Sequence, residues 1–404
     1  MTTVFVDDIN KLSERKESLY DSGYIDGQKE DSNIEFVSFS GGGISGFSLG
    51  GVYKELERRK IKDNVKYWLG SSAGAIIASL AALNAPSDYV IKHFMDIDIH
   101  KVLDYGGISQ SDISLGSKFM SYKYGIPELM SKLGAVRGDY FNEWFQRRMI
   151  DLGWSNNTTF ADLYNKTGKH LVITATSLNT SETLYLSRSS YPYMRIADAV
   201  RASWTLPFII QPIHMNDPIL STGERMLVDG GILDNFPLNA CDIISDSGDI
   251  LAFNRKAIGF TLVSRGRWSP DYVKIDNLIN YSLSFIRSMH NRIHSIQSHQ
   301  PYYWDRVIPI EIFDVSSISF NTDKKVLSRL IDSGTKCSSI GLDKRAMMIA
   351  QQGPLPRNLF IPNPTLRCPE KYIISDDLIE NTQLYQTNPE KFLNNKIPYD
   401  KIMY

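Results

Sequence analysis

Short apolar runs alternate along the chain with stretches of helical periodicity. Runs rich in β-branched and aromatic residues predict buried strands at Ile34–Phe39, Val65–Leu69, Leu171–Thr176 and Ile258–Val263. An amphipathic stretch follows the first run, and the apolar, small-residue stretch Ala75–Leu83 follows the second. Because strands alternate with helices, we expect a layered α/β fold with a mainly parallel central sheet.

Changes in composition divide the chain into segments. Residues 1–32 are polar with weak periodicity, and we predict an N-terminal extension there. Strand and helix patterns fill residues 33–335, the predicted main domain. Within it, residues 95–165 are less periodic and richer in Tyr, Met, Ser and Gly, and we expect a helical cap. Residues 336–404 contain several prolines and many Asn, Asp and Lys residues, which predicts a C-terminal extension.

The charge is almost balanced, with 44 Lys and Arg residues against 45 Asp and Glu residues. We therefore expect no nucleic-acid partner. The three cysteines lie far apart without CxxC spacing, which favours neither a zinc site nor a disulfide framework. The N-terminal residues lack the apolar core of a signal peptide, and no apolar run is long enough to span a bilayer. The expected location is cytoplasmic, in the cell or in a host cell, or peripheral on a membrane.

Residues 70–74, with the sequence GSSAG, fit the pattern G-x-S-x-G and place Ser72 at its centre. In that pattern a serine occupies a strained turn between a strand and a helix, and the flanking glycines avoid Cβ clashes. The N terminus of the following helix favours a developing negative charge. The pattern is weak alone, but a predicted strand precedes it here and a predicted helix follows it. Ser72 is therefore the predicted nucleophile.

A glycine-rich segment, residues 41–46 with the sequence GGGISG, also links a predicted strand to a helix. Consecutive glycines expose neighbouring backbone amides that can bind an anion. The Gly-Lys-Ser/Thr ending of a phosphate loop is missing. Gly41, Gly43 and Gly46 satisfy the dinucleotide pattern G-x-G-x-x-G, but the next strand leads into GSS rather than ending in an acidic residue. Donors beside a nucleophile fit this order of motifs better than a nucleotide site.

Asp229 opens a D-G-G sequence after an apolar run. Such a sequence is equally well explained by a structural turn, in which Asp bonds its own backbone. A serine hydrolase needs a base, however, and Asp229 and His214 are the candidates that the sequence offers. His290 and His294 are four residues apart and would share a helix face, but no acidic residue stands at the H-E-x-x-H position, so we predict no metal site.

Together these motifs resemble the patatin-like phospholipase family. The family combines a G-G-G-x-[KR]-G loop, G-x-S-x-G and D-G-[GA] in the order found here. The stretches Ala199–Pro207 and Leu227–Pro237 are also similar to the family's sequences between the serine and the aspartate and around the aspartate. The resemblance covers about residues 34–335. The chain departs from it at Ser45, where the family usually has Lys or Arg, and this departure bears on substrate preference more than on the reaction.

The resemblance implies a three-layer α/β/α sandwich and a catalytic domain at residues 33–335. It implies that Ser72 attacks an ester carbonyl and forms an acyl-enzyme while Asp229 accepts the proton, without a metal or organic cofactor. The implied substrates are phospholipids or related acylglycerols, reached by peripheral contact with a membrane, and a protein activator is allowed. The implied oxyanion donors are Gly41, Gly42, Gly43 and Ala73. The implied motif glycines are Gly46, Gly70, Gly74, Gly230 and Gly231.

Other hypotheses stay open at this stage. An esterase with a Ser-His-Asp triad, acting on small esters, would use His214 as its base. A catalytically weak effector or scaffold derived from the family would follow from the change at Ser45. A nucleotide-binding module would use the glycines of residues 41–46. The stretch Lys118–Tyr124 mixes aromatic and basic side chains, which suits either a membrane interface or ordinary packing.

Overall fold

The computed structural model describes residues 34–102, 132–216, 223–244, 250–263, 275, 278–298, 303–313 and 323–352. The predicted N-terminal extension, the stretch Lys118–Tyr124 and the chain beyond residue 352 lie outside these residues. The predicted cap at 95–165 is described in part, at 95–102 and 132–165.

Strands in this part of the chain form one large sheet and two small ones. Their bounds are β1 (Phe36–Phe39), β2 (Tyr67–Gly70), β3 (Gly134–Val136), β4 (His170–Ser177), β5 (Glu182–Ser187), β6 (Phe208–Ile210), β7 (Ile213–Asn216), β8 (Glu224–Asp229), β9 (Ile243–Ile244), β10 (Ile250–Ala252), β11 (Ala257–Val263) and β12 (Val307–Glu311). The large sheet has the order β12-β11-β1-β2-β4-β8-β7, with β5 also paired to β4. The strands from β12 to β4 in this order are parallel, whereas β5, β7 and β8 are antiparallel to their neighbours.

Helices follow most of the parallel strands. The α-helices are α1 (Phe47–Arg58), α2 (Ala73–Ala82), α3 (Ser87–Asp96), α4 (Ile99–Val102), α5 (Asp139–Asp151), α6 (Phe160–Thr167), α7 (Ile196–Ser203), α8 (Leu278–Ser298) and α9 (Lys324–Gln352). Short 3-10 helices are η1 (Gly43–Gly46), η2 (Ile61–Asp63), η3 (Gly230–Ile232) and η4 (Pro237–Cys241). None of the helices that the structure describes combines the length and apolarity needed to cross a membrane.

The parallel strands are buried on both faces, as their continuous apolar sequences predict. Along β1, Val37 and Phe39 point into the larger core cluster, while Phe36 points into a second cluster on the opposite face. Trp68 and Leu69 of β2 divide in the same way, because side chains alternate across a sheet. The predicted α/β fold with a mainly parallel central sheet is confirmed, and the four predicted strands correspond to β1, β2, β4 and β11.

Strand β4 brings two other strands together end to end. On one edge β5 pairs with Val172–Ser177. A strand has only two edges, so β2 and β8 must share the other, where β2 pairs with His170–Ile173 and β8 with Ala175–Ser177. The C-terminal residues Gly70 of β2 and Asp229 of β8 therefore pair with β4 residues that lie only about 7 Å apart along the strand. The two strands run in opposite directions, so their C-terminal ends meet at this point.

Helix α9 packs closely along α1 through glycines on both helices. A Cβ on Gly51 would collide with the carbonyl oxygen of Ile331, and a Cβ on Gly334 would collide with that of Ser48. The absence of side chains lets the two backbones touch, which fixes α9 against α1.

The same helix crosses the boundary predicted between residues 335 and 336. Arg59, which follows α1 directly, donates a hydrogen bond to the Asp343 carboxylate at 2.7 Å, and Leu342 and Ala346 of α9 are buried. We therefore propose that the main domain extends to the C-terminal side of Ala346. The prolines and polar residues further along the sequence concealed the helix, because they dominate the composition of the segment as a whole.

Two neighbouring glycines of α1 provide a matched test of this packing. Gly51→Ala forces a methyl group into the α9 backbone, and we expect the free energy of unfolding to fall by about 2 kcal/mol or more. Gly50→Ala places its methyl group 3.7 Å from Ile91, an ordinary contact, and we expect a gain of about 0.5–1 kcal/mol from better helix propensity. Urea unfolding followed by circular dichroism measures both values. Equal effects of the two substitutions would contradict the close packing of α9 on α1.

Candidate active site

Ser72 lies in a tight turn between β2 and α2. Its backbone has φ 50° and ψ −121°, a conformation that costs energy in any residue with a side chain. A Cβ on Gly70 would collide with the backbone of Gly74, and a Cβ on Gly74 would collide with the carbonyl oxygen of Phe39. The two glycines of G-x-S-x-G are thus required by close backbone contacts, and the resulting strand-turn-helix has the geometry of a nucleophile elbow.

Asp229, the last residue of β8, is hydrogen-bonded to Ser72. The Ser72 hydroxyl donates to Asp229 Oδ2 at 2.9 Å, and the backbone amide of Gly231 donates to Oδ1 at 2.6 Å. The backbone of Asp229 is fixed as well: its amide donates to the carbonyl oxygen of Thr205, and its own carbonyl oxygen accepts from the Thr176 hydroxyl. Both carboxylate oxygens therefore have a donor, and the carboxylate has one defined orientation towards the serine.

The Asp229 carboxylate is buried, with an exposed fraction of 3%, and its hydrogen-bond partners carry no charge. Burial raises the pKa of Asp229 to about 7, and the hydrogen bonds from Gly231 and Ser72 oppose the shift. Two other buried carboxylates differ in their partners: Asp242 binds Arg306 at 2.6 Å, whereas Asp234 has neutral hydrogen-bond donors, among them the Tyr185 hydroxyl at 2.9 Å. A buried carboxylate without a cation is costly for stability, which favours a functional role for it.

The glycine-rich loop lies directly against the elbow. A Cβ on Gly41 would be 3.0 Å from Ser72 Cβ, and a Cβ on Gly46 would collide with Ala73 Cβ. The loop thus packs against the elbow and the helix that follows. This position suits hydrogen-bond donors beside Ser72 better than a separate nucleotide site. Ser45, at the family's usual Lys or Arg position, is buried in the 3-10 turn of this loop.

The amide of Gly41 does not point to a substrate. It donates to the carbonyl oxygen of Asn235 at 2.9 Å, so Gly41 is removed from the predicted oxyanion donors. The amides of Gly42, Gly43 and Ala73 have no hydrogen-bond partner within the described part of the chain. Gly43 has φ 54°, a left-handed conformation that glycine adopts freely.

Sequence reasoning missed Asn235, which ties the glycine loop to the aspartate turn. Its side-chain amide donates to the carbonyl oxygen of Gly41 at 3.2 Å, while the backbone carbonyl oxygen of Asn235 accepts from the Gly41 amide. The residue was present in the stretch Leu227–Pro237 that carried the family resemblance. Nothing in the local pattern, however, distinguished its role from that of an ordinary turn residue.

The stretch Ala199–Pro207 holds both halves of the site. The buried Ser203 hydroxyl oxygen accepts a hydrogen bond from the Ser72 backbone amide at 2.9 Å, and the carbonyl oxygen of Thr205 accepts from the Asp229 amide at 2.8 Å. These two bonds give a structural reason for the resemblance noted in this stretch. Its contribution is to position the pair, since Ser203 and Thr205 bind the backbone amides of Ser72 and Asp229 rather than the serine hydroxyl.

The described histidines have other partners. His214, the alternative base, lies on β7 and pairs with Glu224 at 2.7 Å, with about half of its side chain exposed. His93 bonds Arg148, and His170 stacks on Tyr67, where burial lowers its pKa to about 4. The side chain of His290 lies outside the described residues, so the prediction that His290 and His294 form no metal site stays untested.

Comparisons with known proteins identify related sequences and a similar fold. The sequence model of the patatin-like phospholipase family matches residues 37–242. The uncharacterised protein R571 of Acanthamoeba polyphaga mimivirus is 30% identical over 76% of this chain and 93% of the viral protein. Triacylglycerol lipase 4 of Saccharomyces cerevisiae is 28% identical over 60% of this chain and 26% of the yeast protein. VipD from Legionella pneumophila has a similar fold, with a TM-score of 0.50 and 17% identity over 78% of this chain and 67% of that chain.

The matched segment begins in β1 and contains the glycine loop, the elbow, the positioning stretch Ala199–Pro207 and the Asp229 turn in one continuous order. The chain belongs to the patatin-like phospholipase family.

Proposed function

We propose that the protein is a lipid acyl hydrolase that cleaves carboxylic ester bonds of phospholipids or related acylglycerols with a Ser72–Asp229 dyad. The observation that carries this proposal is the 2.9 Å hydrogen bond from the Ser72 hydroxyl to the buried Asp229 carboxylate at a nucleophile elbow. Family membership and the similarity to a yeast triacylglycerol lipase support a lipid ester as the substrate.

The reaction runs in two halves. Ser72 Oγ attacks the ester carbonyl while Asp229 accepts the hydroxyl proton, and the tetrahedral oxyanion is bound by the amides of Gly42, Gly43 and Ala73. Collapse of this intermediate breaks the ester C–O bond, and Asp229 returns the proton to the departing alcohol. Asp229 then takes a proton from water, whose oxygen attacks the acyl-enzyme. Release of the fatty acid restores the Ser72 hydroxyl with the proton that Asp229 holds.

A carboxylate is an adequate base here because its pKa is raised. An aspartate with the ordinary pKa of about 3.9 would hold a serine proton poorly. Burial raises the pKa of Asp229 to about 7, which brings its proton affinity close to the value that suits general base catalysis near neutral pH. The hydrogen bond to Gly231 keeps the carboxylate aimed at Ser72 while the proton moves.

Labelling by a fluorophosphonate probe tests the nucleophile. We expect the wild-type protein to be labelled and Ser72→Ala to show no labelling, because the reactive oxygen is gone. Ser71→Ala is the matched control, since Ser71 is the adjacent buried serine and its hydroxyl has no hydrogen-bond partner in the described residues. Intact mass spectrometry measures the adduct. Labelling that survives Ser72→Ala would refute the assignment, and an unlabelled wild type would favour a weak effector or scaffold.

Substitution of the two candidate bases tests the dyad. We expect Asp229→Asn to slow labelling by about 10²–10⁴-fold, the usual contribution of a general base, and His214→Ala to leave the rate unchanged. Stopped labelling reactions followed over time give both rates. The opposite result would establish a histidine-dependent esterase.

The dependence of activity on pH follows from the raised pKa of Asp229. The carboxylate must be ionised to accept the proton, so we expect kcat/KM on a soluble short-chain ester to rise roughly tenfold from about pH 6 to about pH 8 and then level off. A profile that is already flat from about pH 5 upward would mean that the base has an ordinary carboxyl pKa.

The same pKa predicts a stability effect of opposite sign. Asp229 keeps its proton to a higher pH in the folded chain than in the unfolded chain, so stability falls as the pH rises from about 4 to about 7. Asp229→Asn removes the cost of burying the charge, and we expect it to raise Tm by about 4 °C or more at pH 8. The gain should shrink as the pH is lowered towards 5. Thermal unfolding of both proteins across this range measures it, and a Tm difference independent of pH would contradict the shift.

A further inference from the structure

Helix α8, Leu278–Ser298, carries basic side chains and no acidic ones. Residues 277–304 contain no Asp or Glu, although the chain has an acidic residue at roughly every ninth position. The helix carries two arginines, Arg287 and Arg292, both exposed. It also lies beyond the segment that the family's sequence model matches, so it is a feature of this chain rather than of the matched family core.

One face of α8 exposes large apolar side chains around an arginine. Tyr281, Phe285 and Ile296 have exposed fractions of 59%, 61% and 53%. With Arg292 they are spaced so that all four fall within about 60° of the helix circumference. We call these four residues the α8 face. Single exposed hydrophobic residues are common, but three on one face of one helix are not explained by chance scatter.

The α8 face lies close to the catalytic residues. The helix packs against the 3-10 turn Gly230–Ile232, which follows Asp229, and against β6. Gln297, on its last turn, is hydrogen-bonded to the Asp234 carboxylate. Phe208 of β6 adds another exposed aromatic ring, with an exposed fraction of 46%. A surface bound to this helix would therefore lie beside the aspartate turn.

We propose that the α8 face docks on an anionic phospholipid surface. Aromatic and aliphatic side chains that flank a cation match the boundary between head groups and acyl chains, and the absence of acidic residues avoids repulsion from lipid phosphates. The opposite side of the helix is fixed to the protein, so docking leaves the helix parallel to the membrane. The proposal rests on the proposed lipid hydrolase function, because docking here presents ester substrates next to Ser72 and Asp229.

Vesicle binding tests the proposal with the full-length protein. Co-sedimentation uses phosphatidylcholine vesicles with and without phosphatidylserine, in a Ser72→Ala background so that the lipids are not hydrolysed. We expect binding that increases with phosphatidylserine. Tyr281→Ser together with Phe285→Ser should weaken it by about tenfold or more, since both rings lose their apolar contact. Arg292→Gln should weaken binding to the anionic vesicles alone, by about fivefold.

Matched controls replace equally exposed residues on helix α5. Ile150→Ser removes an aliphatic side chain with an exposed fraction of 56%, and Arg147→Gln removes an exposed arginine. Both should bind vesicles as the parent protein does. Circular dichroism melting checks that every variant is folded, which is expected because all substituted side chains are exposed.

Several results would overturn the proposal. One is vesicle binding by the Tyr281→Ser, Phe285→Ser variant that equals that of the parent protein. Another is an equal loss of vesicle binding in the α5 controls, and a third is the absence of vesicle binding by the parent protein. A dimer in light scattering that the double substitution converts to a monomer would assign the face to a second copy of the chain instead. Fluorophosphonate labelling without vesicles separates this proposal from the function. If the protein is labelled but the face substitutions do not weaken vesicle binding, only the docking proposal is refuted. If the substitutions weaken vesicle binding but the protein with native Ser72 is not labelled, only the hydrolase function is refuted.

Discussion

The site depends on the pairing register of a single strand. Strand β4 has β5 along one edge, and β2 and β8 divide the other edge between them. Because β2 and β8 approach from opposite directions, their C-terminal ends meet; Ser72 lies in the turn after β2, and Asp229 is the last residue of β8. A shift of one residue in either strand would reverse which side chains face the core and would separate the serine from the carboxylate. The proposed catalytic pair is thus held by the sheet itself.

Two energetically unfavourable features lie at this junction, and contacts with the surrounding structure stabilise them. Ser72 adopts a strained backbone conformation, and Asp229 is a buried carboxylate without a cationic partner. The Ser203 hydroxyl and the Thr205 carbonyl oxygen accept hydrogen bonds from the Ser72 and Asp229 amides, and Asn235 links the glycine loop to the same turn. The close packing of α9 on α1 supports the helix into which that loop leads. A raised pKa is the chemical consequence of this arrangement, since burial disfavours the charged carboxylate.

Local sequence signals predicted the parts of the site that depend on neighbouring residues. The elbow at Ser72 needs only a strand, two glycines and a helix, all of which are visible in residues 65–83. Asp229 was supported mainly by family resemblance, because its partner lies far away in sequence and the register of β4 cannot be read from any one segment. For the same reason Asn235 and Ser203 were missed, and Gly41 was assigned an amide that is already occupied. Helix α9 was misjudged because its polar residues resembled those of the segment beyond it.

The central claim is that the sheet holds Asp229 as a neutral-pH base against Ser72. Direct titration of the Asp229 carboxyl group by carbon-13 NMR, with Asp229→Asn used to assign the resonance, measures this most directly. We expect a midpoint of about 7 in the folded protein and a changed midpoint in Ser72→Ala, since the serine hydroxyl donates to the carboxylate. A midpoint near the ordinary aspartate value of about 4, unaffected by the loss of the serine hydroxyl, would contradict it.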